Sequence, residues 1–402
     1  MKEIILINIS GEDRPGVTHK VTTLLAVHGA NVLDIGQAVI HETLSLGMLV
    51  EFSADNETSE ALKQILFAID EMGLSVKFTP IHEDEYEHWV TGKNKDRHII
   101  TLLARRISAE QIAGVTRLAL EHGFNIDKIE RLSGRVPLYA SADRGKACVE
   151  FCVSGKVGDL PKVRRAFLQL ASALETDIAF QEDNLFRRTR RVVCFDMDST
   201  LIEAEVIDEL AKAAGVGEEV IAITESAMRG EIDFTQSFAK RLALLKGLDE
   251  SVLQEIAENL PLTEGVEKLI STLKRFGFKT AILSGGFNYF GNYLQQKLGF
   301  DYVYTNELEI VDGKVTGNVK GTVVDGKRKA ELLEEIARKE GVDLQQVVAV
   351  GDGANDLPML SKAGLGIAFR AKPIVKQEAD HAISMLGLDA VLYLMGYRDR
   401  EI

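Results

Sequence analysis

Cysteine and proline are scarce in this sequence, and long apolar runs are missing from it. The 402 residues include three cysteines and seven prolines. Three cysteines without paired spacing exclude a disulfide framework and a cysteine-based zinc site, and they favour a reducing compartment. No apolar stretch approaches the roughly 20 residues that a membrane helix needs, and the first residues lack a signal-peptide cleavage pattern. We therefore expect a cytoplasmic protein that has no membrane partner.

Positive charge is also in short supply. The chain has 47 basic and 61 acidic residues, which gives a net charge of −14. A nucleic-acid backbone would be repelled by this charge, so we expect no nucleic-acid partner, although a local basic pocket for one small phosphate is allowed. The arginine-rich stretch at 182–191 could be a nucleic-acid patch, but in an acidic chain we interpret it as a solvated linker.

The first 180 residues contain an imperfect repeat. The run His28-Gly29-Ala30-Asn31 corresponds to His122-Gly123-Phe124-Asn125, and Val21-Thr22 matches Val115-Thr116 at the same offset. Each copy has strand and helix patterns in the order βαββαβ. This order predicts two α+β ferredoxin-like domains, over 1–82 and 97–181. The alternative is a coincidental α+β pattern without internal repetition.

The pattern changes from Val192 onward. Short apolar runs at 192–195, 280–283, 347–350 and 366–369 are separated by helical segments. This alternation predicts an α/β domain over 192–402, with a doubly wound, Rossmann-like parallel sheet. The first two runs are separated by about 80 residues of mostly helical pattern, which is more than one crossover helix requires. We therefore predict an inserted helical cap at about 205–278.

Acidic residues follow two of these predicted strands. Asp196 and Asp198 follow the first strand, and Asp352 and Asp356 follow the third. Ligands of an open α/β sheet bind at the carboxyl ends of its strands, so we expect the four acids to converge there. One acid of the first pair could attack phosphorus while the other transfers a proton. Four converging carboxylates need a cation, and hard oxygen ligands favour Mg²⁺. The alternatives are a solvated acidic loop and a Gly-Asp-rich turn without a ligand.

Two further features suit an anion. Ser284, Gly285 and Gly286 end the second strand, where a hydroxyl and backbone N–H groups could cradle a phosphate. The stretch 327–329 opens a later helix with three basic residues, and the chemistry alone does not select among Lys327, Arg328 and Lys329. With the acids, these groups supply the parts of a phosphoryl-transfer site.

The segments 193–201, 237–245, 284–287 and 350–356 resemble the haloacid-dehalogenase-like phosphatases, and within them the members that hydrolyse O-phospho-L-serine. The resemblance implies that Asp196 is the nucleophile, forming an aspartyl-phosphate, and that Asp198 is the general acid/base. It also implies that Mg²⁺ is held by the Asp196 side chain, the Asp198 backbone carbonyl and Asp352, with Asp356 supporting that shell. The residues implied to bind the phosphoryl group or lie beside it are Ser284, Gly285, Lys329 and Asn355.

The same resemblance implies a substrate site in the cap. Glu205 would face the substrate ammonium, Arg241 would bind the carboxylate, and Met228 and Phe234 would pack as lid residues. The alternatives are that Glu205 is an ordinary acid in the first turn of a helix and that Arg241 belongs to a solvated helix face.

The N-terminal copies resemble tandem ACT domains, which are small amino-acid-binding modules. The run 11–17 fits their first loop and helix start, which implies a regulatory ligand near Asp13, Gly16 and Asn31. L-serine, the product, is the expected ligand. The second copy has Arg105-Arg106-Ile107-Ser108-Ala109 at the matching loop and lacks the Asp-Arg-Pro-Gly pattern. Alternatively, these domains only mediate contacts in a homodimer.

The resemblance therefore implies Mg²⁺-dependent hydrolysis of O-phospho-L-serine, the last step of serine biosynthesis. Two alternatives remain open at the level of sequence. One is a phosphotransferase that passes the phosphoryl group to another alcohol. The other is an amino-acid sensor whose catalytic domain is a scaffold.

Overall fold

A computed structural model describes residues 2–53, 58–91, 96–135, 137, 145–229, 231–232 and 234–402, and the side chains of 228, 234 and 235 lie outside this description. The chain divides into two compact units, Met1–Lys95 and Asp96–Ile402. In these described ranges, every helix is too short or too polar to cross a membrane.

The first unit contains a four-stranded antiparallel sheet in the order β2-β3-β1-β4. Its elements are β1 (Glu3–Glu12), α1 (Val17–Val27), β2 (Asn31–Ile40), β3 (Thr43–Phe52), α2 (Thr58–Glu71), β4 (Ser75–Ile81) and α3 (Glu83–Thr91). Alternate residues of β3, such as Leu46 and Met48, share a core with Val21 of α1 and Ile65 of α2. This is the predicted ferredoxin-like arrangement, with both helices packed on one face of the sheet.

The second unit begins with another sheet of the same topology. Its elements are β5 (Arg97–Ala104), α4 (Ala109–Glu121), β6 (Asn125–Arg131), β7 (Ala147–Ser154), α5 (Leu160–Ala173) and β8 (Asp177–Glu182). The strand order, β6-β7-β5-β8, is equivalent to that of the first sheet. Ile100 and Leu102 of β5 pack against α4 and α5, whereas Leu103 shares a core with the α/β domain that follows. Both faces of this sheet are therefore covered.

A seven-stranded sheet forms the core of the α/β domain, in the order β12-β11-β10-β9-β13-β14-β15. Its paired strands are parallel except for β12, which is antiparallel to β11. The strands and helices are β9 (Val192–Phe195), α6 (Val206–Ala214), α7 (Gly217–Met228), α8 (Phe234–Ala243), α9 (Ser251–Asn259), α10 (Val266–Arg275), β10 (Lys279–Phe287), α11 (Asn288–Leu298), β11 (Tyr302–Val311), β12 (Lys314–Lys320), α12 (Gly326–Glu340), β13 (Val347–Gly351), α13 (Leu357–Lys362), β14 (Leu365–Phe369), α14 (Pro373–Glu378), β15 (His381–Ile383) and α15 (Val391–Leu394).

Helices cover both faces of this sheet. Val192 and Cys194 of β9 share a core with α12, whereas Val193 and Phe195 share a core with α10 and α11. Because successive strand residues point to opposite faces, the alternation shows a doubly wound sheet. The predicted α/β fold is confirmed.

The cap consists of helices α6 to α9. The predicted range, 205–278, also contains α10, but this helix directly precedes β10 in the chain and packs against it, so α10 serves as the crossover into that strand. The chain enters and leaves the cap through two paired segments, 201–203 and 261–264, which we call the neck. In the neck the Glu203 N–H donates to the Pro261 carbonyl at 2.8 Å, and the Thr263 N–H donates to the Leu201 carbonyl at 3.0 Å.

The predicted linker, 182–191, is not a solvated connector. Arg187 is 4% exposed and forms an ion pair with the buried Glu150 of β7. Arg190 is 5% exposed and donates from Nη1 to the Gln345 carbonyl at 3.0 Å. The expectation of solvation is wrong for these two arginines, because each lies where the second four-stranded sheet and the α/β domain meet.

Candidate active site

The nucleophile predicted from the sequence lies at the carboxyl end of the central strand. Asp196 directly follows β9 and is 5% exposed. Its Oδ1 accepts the backbone N–H of Met197 at 2.7 Å and lies 2.9 Å from the Lys329 Nζ. Because both of these contacts involve Oδ1, the carboxylate is held in one orientation while Oδ2 takes no part in them.

Three of the predicted acids meet at this edge of the sheet. Carboxylate oxygens of Asp196, Asp352 and Asp356 all lie within 4.8 Å of one another. Burial, followed by the charges of Asp196 and Asp356, raises the pKa of Asp352 to about 8. Burial and the charge of Asp196 also raise the pKa of Asp356 to about 7. The cluster therefore resists carrying its full negative charge, and its oxygen donors are of the kind that a small divalent cation prefers.

Lys329 is the buried cation of the site. It is fully buried, and its Nζ lies 2.7 Å from the Asp356 Oδ1 as well as beside Asp196. Burial alone would lower the pKa of Lys329, but the two carboxylates raise it, so the ammonium stays charged. Its basic neighbours are engaged elsewhere: Lys327 is an exposed partner of Glu331, and Arg328 also pairs with α12 acids.

Glycines allow the loops of this site to approach closely. A Cβ on Gly286 would lie 2.5 Å from the Met197 Cε and 2.8 Å from the Asp198 Oδ2. A Cβ on Gly353 would lie 2.2 Å from the Asn355 Oδ1. The buried Ser284 accepts the Gly286 N–H through Oγ at 3.0 Å, which fixes the turn after β10. The half-buried Gly285 and Asn355 thus lie on two glycine-dependent turns at the same edge.

Asp198 occupies an environment different from that of Asp196. Its Oδ1 accepts the Val206 N–H at the start of the cap at 3.0 Å. Burial, then the charges of Glu205 and Asp196, raises the pKa of Asp198 well above its usual range. Its side chain is not part of the three-acid cluster. A raised pKa favours the protonated carboxyl group, which is the form that can donate a proton.

Two of the charged residues in the cap, Glu205 and Arg241, are predicted to bind the substrate. Glu205 accepts the Ser199 hydroxyl at 2.8 Å, and its pKa is raised, mainly by burial. Arg241 on α8 is half-buried, and burial lowers its pKa. Its buried Nε finds no hydrogen-bond partner within the described ranges. The side chains of Met228 and Phe234, predicted as lid residues, lie outside the described part of the chain.

Sequence reasoning missed two hydroxyls in the nucleophile loop. Ser199, with a left-handed φ of 54°, holds Glu205, and the buried Thr200 lies 3.4 Å from the Asp352 Oδ1 through its Oγ1. The signal was available, because both residues directly follow the two aspartates and their hydroxyls are short enough to bond within the loop.

Comparison with known proteins identifies the relatives of this site. The haloacid dehalogenase-like hydrolase family matches residues 190–364, and the ACT domain family matches residues 3–79. Phosphoserine phosphatase SerB2 of Mycobacterium tuberculosis is 40% identical over 402 residues, which are 100% of this chain and 95% of that protein. The chain belongs to the phosphoserine phosphatase family.

Other relatives of this phosphatase support the same family assignment. The phosphoserine phosphatase of Streptomyces coelicolor is 40% identical over 99% of the chain and 93% of its own length. A solved haloacid-dehalogenase-family hydrolase of Salmonella enterica is 30% identical, with a TM-score of 0.63 over 74% of this chain and 98% of its own. A probable phosphoserine phosphatase of Vibrio cholerae is 36% identical, with a TM-score of 0.57 over 75% of this chain and 86% of its own.

The predicted regulatory residues of this phosphatase do not meet within one chain. Asp13 and Gly16 lie in the loop after β1. Glu12, the last residue of β1, and Ile40 of β2 both pair with Thr43 of β3, so this loop lies at the Ile40 end of β2. Asn31 begins β2 and donates to the Glu51 carboxylate at 3.2 Å. Nine residues of extended strand separate Asn31 from Ile40, about 30 Å at 3.3 Å per residue. In a β-helix-β unit the helix returns the chain to the opposite end of the sheet, which separates the end of β1 from the start of β2, so the grouping of these residues within one chain needs correction.

Proposed function

We propose that this phosphatase hydrolyses O-phospho-L-serine to L-serine and phosphate through an aspartyl-phosphate on Asp196. The observation that carries the proposal is the buried ammonium of Lys329, which lies between Asp196 and Asp356 beside the three-acid cluster. A lone buried cation among carboxylates suits a dianionic phosphoryl group, whose charge would otherwise be repelled by those acids.

In the proposed reaction Asp196 is the nucleophile and Asp198 transfers the proton. Oδ2 of Asp196 attacks phosphorus, and the bond between phosphorus and the serine oxygen breaks. Asp198, whose protonated form is favoured by burial, donates its proton to that departing oxygen. The resulting Asp198 carboxylate then takes a proton from water as this water attacks phosphorus. The bond between phosphorus and Oδ2 of Asp196 breaks, so that phosphate leaves and the Asp196 carboxylate is regenerated.

We propose Mg²⁺ as the cation of the acid cluster. The Asp196 side chain, Asp352 and the backbone carbonyl of Asp198 would hold it, and the raised pKa values of Asp352 and Asp356 support the need for a positive charge there. Asp356 already accepts Lys329 and the Gly353 N–H, so it supports the cluster. When bound, Mg²⁺ neutralises charge on the transferring phosphoryl oxygens.

Substrate selection is assigned to the cap. Glu205 would bind the ammonium of phosphoserine, and Arg241, whose Nε lacks a partner among described residues, would bind its carboxylate. Ser284, Gly285, Lys329 and Asn355 would bind the phosphoryl group or lie beside it. Met228 and Phe234 remain predicted lid residues. The reaction would complete serine biosynthesis.

For the N-terminal domain we propose a homodimer that binds L-serine. The edge strand β2 is exposed along nearly its whole length and carries the exposed residues Val32, Ile35, Val39 and Ile40. Antiparallel pairing of two β2 strands would place Asn31 of one copy opposite Ile40 of the second copy. The Asp13–Gly16 loop and Asn31 would then contribute to one site from two chains.

The first experiment measures phosphate release from O-phospho-L-serine. We expect wild-type turnover that EDTA abolishes and that Asp196→Asn lowers by about 10³-fold or more, because the amide cannot attack phosphorus. Asp312→Asn, in the turn between β11 and β12, is the control, since asparagine tolerates the φ of 50° there. Full activity of Asp196→Asn would refute the assignment of the nucleophile.

The second experiment tests the cap. Arg241→Ala should raise KM for O-phospho-L-serine by about tenfold or more, because a charge-assisted contact to the carboxylate is lost. KM for p-nitrophenyl phosphate, which has no carboxylate, should change less than twofold. Lys240→Ala, at the exposed neighbouring position of α8, is the matched control. Equal effects of Arg241→Ala on both substrates would contradict a carboxylate contact.

A further inference from the structure

Charged side chains from two sides form ion pairs with the neck of the cap. Arg105 donates from Nη1 and Nη2 to the two carboxylate oxygens of Glu264, at 2.8 and 2.6 Å. Arg370, which follows β14, lies 3.5 Å from Glu264 and donates to Glu203 at 2.7 Å. Glu203 and Glu264 belong to the two segments of the neck. One continuous network therefore joins both segments to side chains outside the cap.

The neck is continuous with the loop that carries the chemistry. Glu203 stands two residues before Glu205, and the intervening Ala204 accepts the Ser199 N–H at 3.2 Å through its carbonyl. Asp198 in turn accepts the Val206 N–H at the first residue of the cap. A displacement of the neck would therefore move the proposed ammonium contact and the proposed acid together, since backbone hydrogen bonds connect them.

Arg105 belongs to the second ferredoxin-like sheet, in the loop between β5 and α4. By topology this loop matches Asp13–Gly16 of the first sheet, the predicted ligand loop. In the second sheet the loop lacks the Asp-Arg-Pro-Gly run, and its Arg105 contacts the neck. The hydrogen bond from Arg105 is the leading cause that lowers the pKa of Glu264, so the ionised carboxylate is favoured and both hydrogen bonds of the pair are charge-assisted.

We propose that Arg105 is a positioning residue that fixes the neck, so that the cap closes over the substrate in one arrangement. The proposal rests on the proposed function for its substrate, O-phospho-L-serine. In the second sheet, the loop equivalent to the predicted ligand loop therefore connects that sheet to the cap through the Arg105–Glu264 ion pair, which we call the strut. Loss of the strut displaces the neck when the cap is open and makes closure less favourable, but the closed cap with bound substrate keeps the same arrangement of reacting groups.

The test uses the full chain and four variants: Arg105→Gln, Glu264→Gln, their double variant and Arg398→Gln. Arg398 forms a 2.7 Å ion pair with Glu130, which also joins the second sheet to the α/β domain but makes no contact with the neck. KM and kcat are measured with O-phospho-L-serine and p-nitrophenyl phosphate. Deuterium exchange is followed in peptides that cover 199–206 and 261–266.

We expect Arg105→Gln and Glu264→Gln each to raise KM for O-phospho-L-serine about fivefold, with kcat and the p-nitrophenyl phosphate constants within twofold of wild type. The double variant should match Glu264→Gln and fall short of the sum of the single effects, because both substitutions remove the Arg105–Glu264 contact and only Glu264→Gln also removes the contact with Arg370. Exchange should accelerate in both neck peptides, whichever substrate the enzyme prefers. Arg398→Gln should change neither KM nor exchange.

Three results would overturn the proposal. They are an unchanged neck exchange in Arg105→Gln, additive effects in the double variant, and equal effects of Arg398→Gln, which would reduce Arg105 to an ordinary interface contact. Wild-type hydrolysis of O-phospho-L-serine, read in the same assay, reports on the proposed function separately. If that hydrolysis were absent, accelerated exchange would still support the strut and unchanged exchange would still refute it.

Discussion

The two four-stranded sheets share one topology but differ in what their surfaces contact. In the first sheet β1 carries the exposed Asn8 and Ser10 on the face away from the helices. In the second sheet β5 is buried at every position after Arg97, and its Leu103 packs into the core of the α/β domain. The same βαββαβ unit thus keeps exposed polar residues on this face in the first copy and packs this face against the α/β domain in the second.

The edge strands of the two sheets also differ in how readily they can pair with another chain. β2 is ten residues long and exposes several apolar side chains, whereas β6 is seven residues long and reads Asn-Ile-Asp-Lys-Ile-Glu-Arg. Charged residues on a short edge strand discourage pairing with another chain, and a long apolar edge invites it. Side-chain chemistry, rather than topology, therefore decides which copy is available to a second molecule.

The largest effect is expected where the second sheet is fixed to the α/β domain. Arg187→Met should lower the free energy of unfolding by about 3–5 kcal/mol, because it leaves the buried Glu150 carboxylate without its partner. Adding Glu150→Leu should recover most of this loss, since an apolar pair replaces the ion pair. In the first sheet, Lys2→Met removes an exposed partner of Glu51, which keeps its hydrogen bond from Asn31, and should lower the free energy of unfolding by much less than Arg187→Met does.

Calorimetry measures the stability of the Arg187→Met variant, of its combination with Glu150→Leu and of the Lys2→Met variant. An Arg187→Met protein as stable as wild type would show that the second sheet is held by its apolar contacts alone, and the difference between the two copies would then lie only in their cores.

These contacts mark the limit of what the sequence predicted. The meeting of Asp196, Asp352 and Lys329 follows from local rules, because each stands at a strand end or helix start of one parallel sheet. Arg187 and Arg105 follow no local rule: their partners lie 37 and 159 residues away. A run of four arginines within five residues therefore resembled a solvated linker.

One signal in the sequence did distinguish the two sheets. β4 alternates the apolar Val76 and Phe78 with polar residues, whereas the matching strand β8 has the continuous apolar run from Ile178 to Phe180. A continuous run is typical of a strand that is covered on both faces. This pattern could have predicted that the second sheet packs on the α/β domain, although not which side chains form the contact.

The next effect tests the two edge strands at matched positions. Ile35 of β2 and Ile129 of β6 each follow the irregularity in their strand pair, and they are 51% and 54% exposed. Ile35→Lys should weaken the proposed dimer by about 3 kcal/mol, roughly a hundredfold in Kd, because a two-fold interface contains each substitution twice. Ile129→Lys should leave the oligomeric state unchanged. Sedimentation velocity across a concentration series measures both.

Two results would contradict this assignment of the edges. A monomeric wild-type chain would remove the proposed dimer, and a dimer weakened by Ile129→Lys instead of Ile35→Lys would move the interface to the second sheet.

The smallest expected effect concerns the two ligand loops. At ten times its Kd, L-serine should protect amides near 11–17 and 30–35 from deuterium exchange by about 1.4 kcal/mol, because it binds only the folded first domain. The matching segments, 105–109 and 124–129, should be unaffected, since the first of them is engaged with the neck. Asn31→Ala should abolish the protection while Asn125→Ala, at the equivalent position, should preserve it. Protection at 105–109 by serine would show that the second loop has kept a ligand site despite its contact with the cap, and the functional distinction between the two copies would fall.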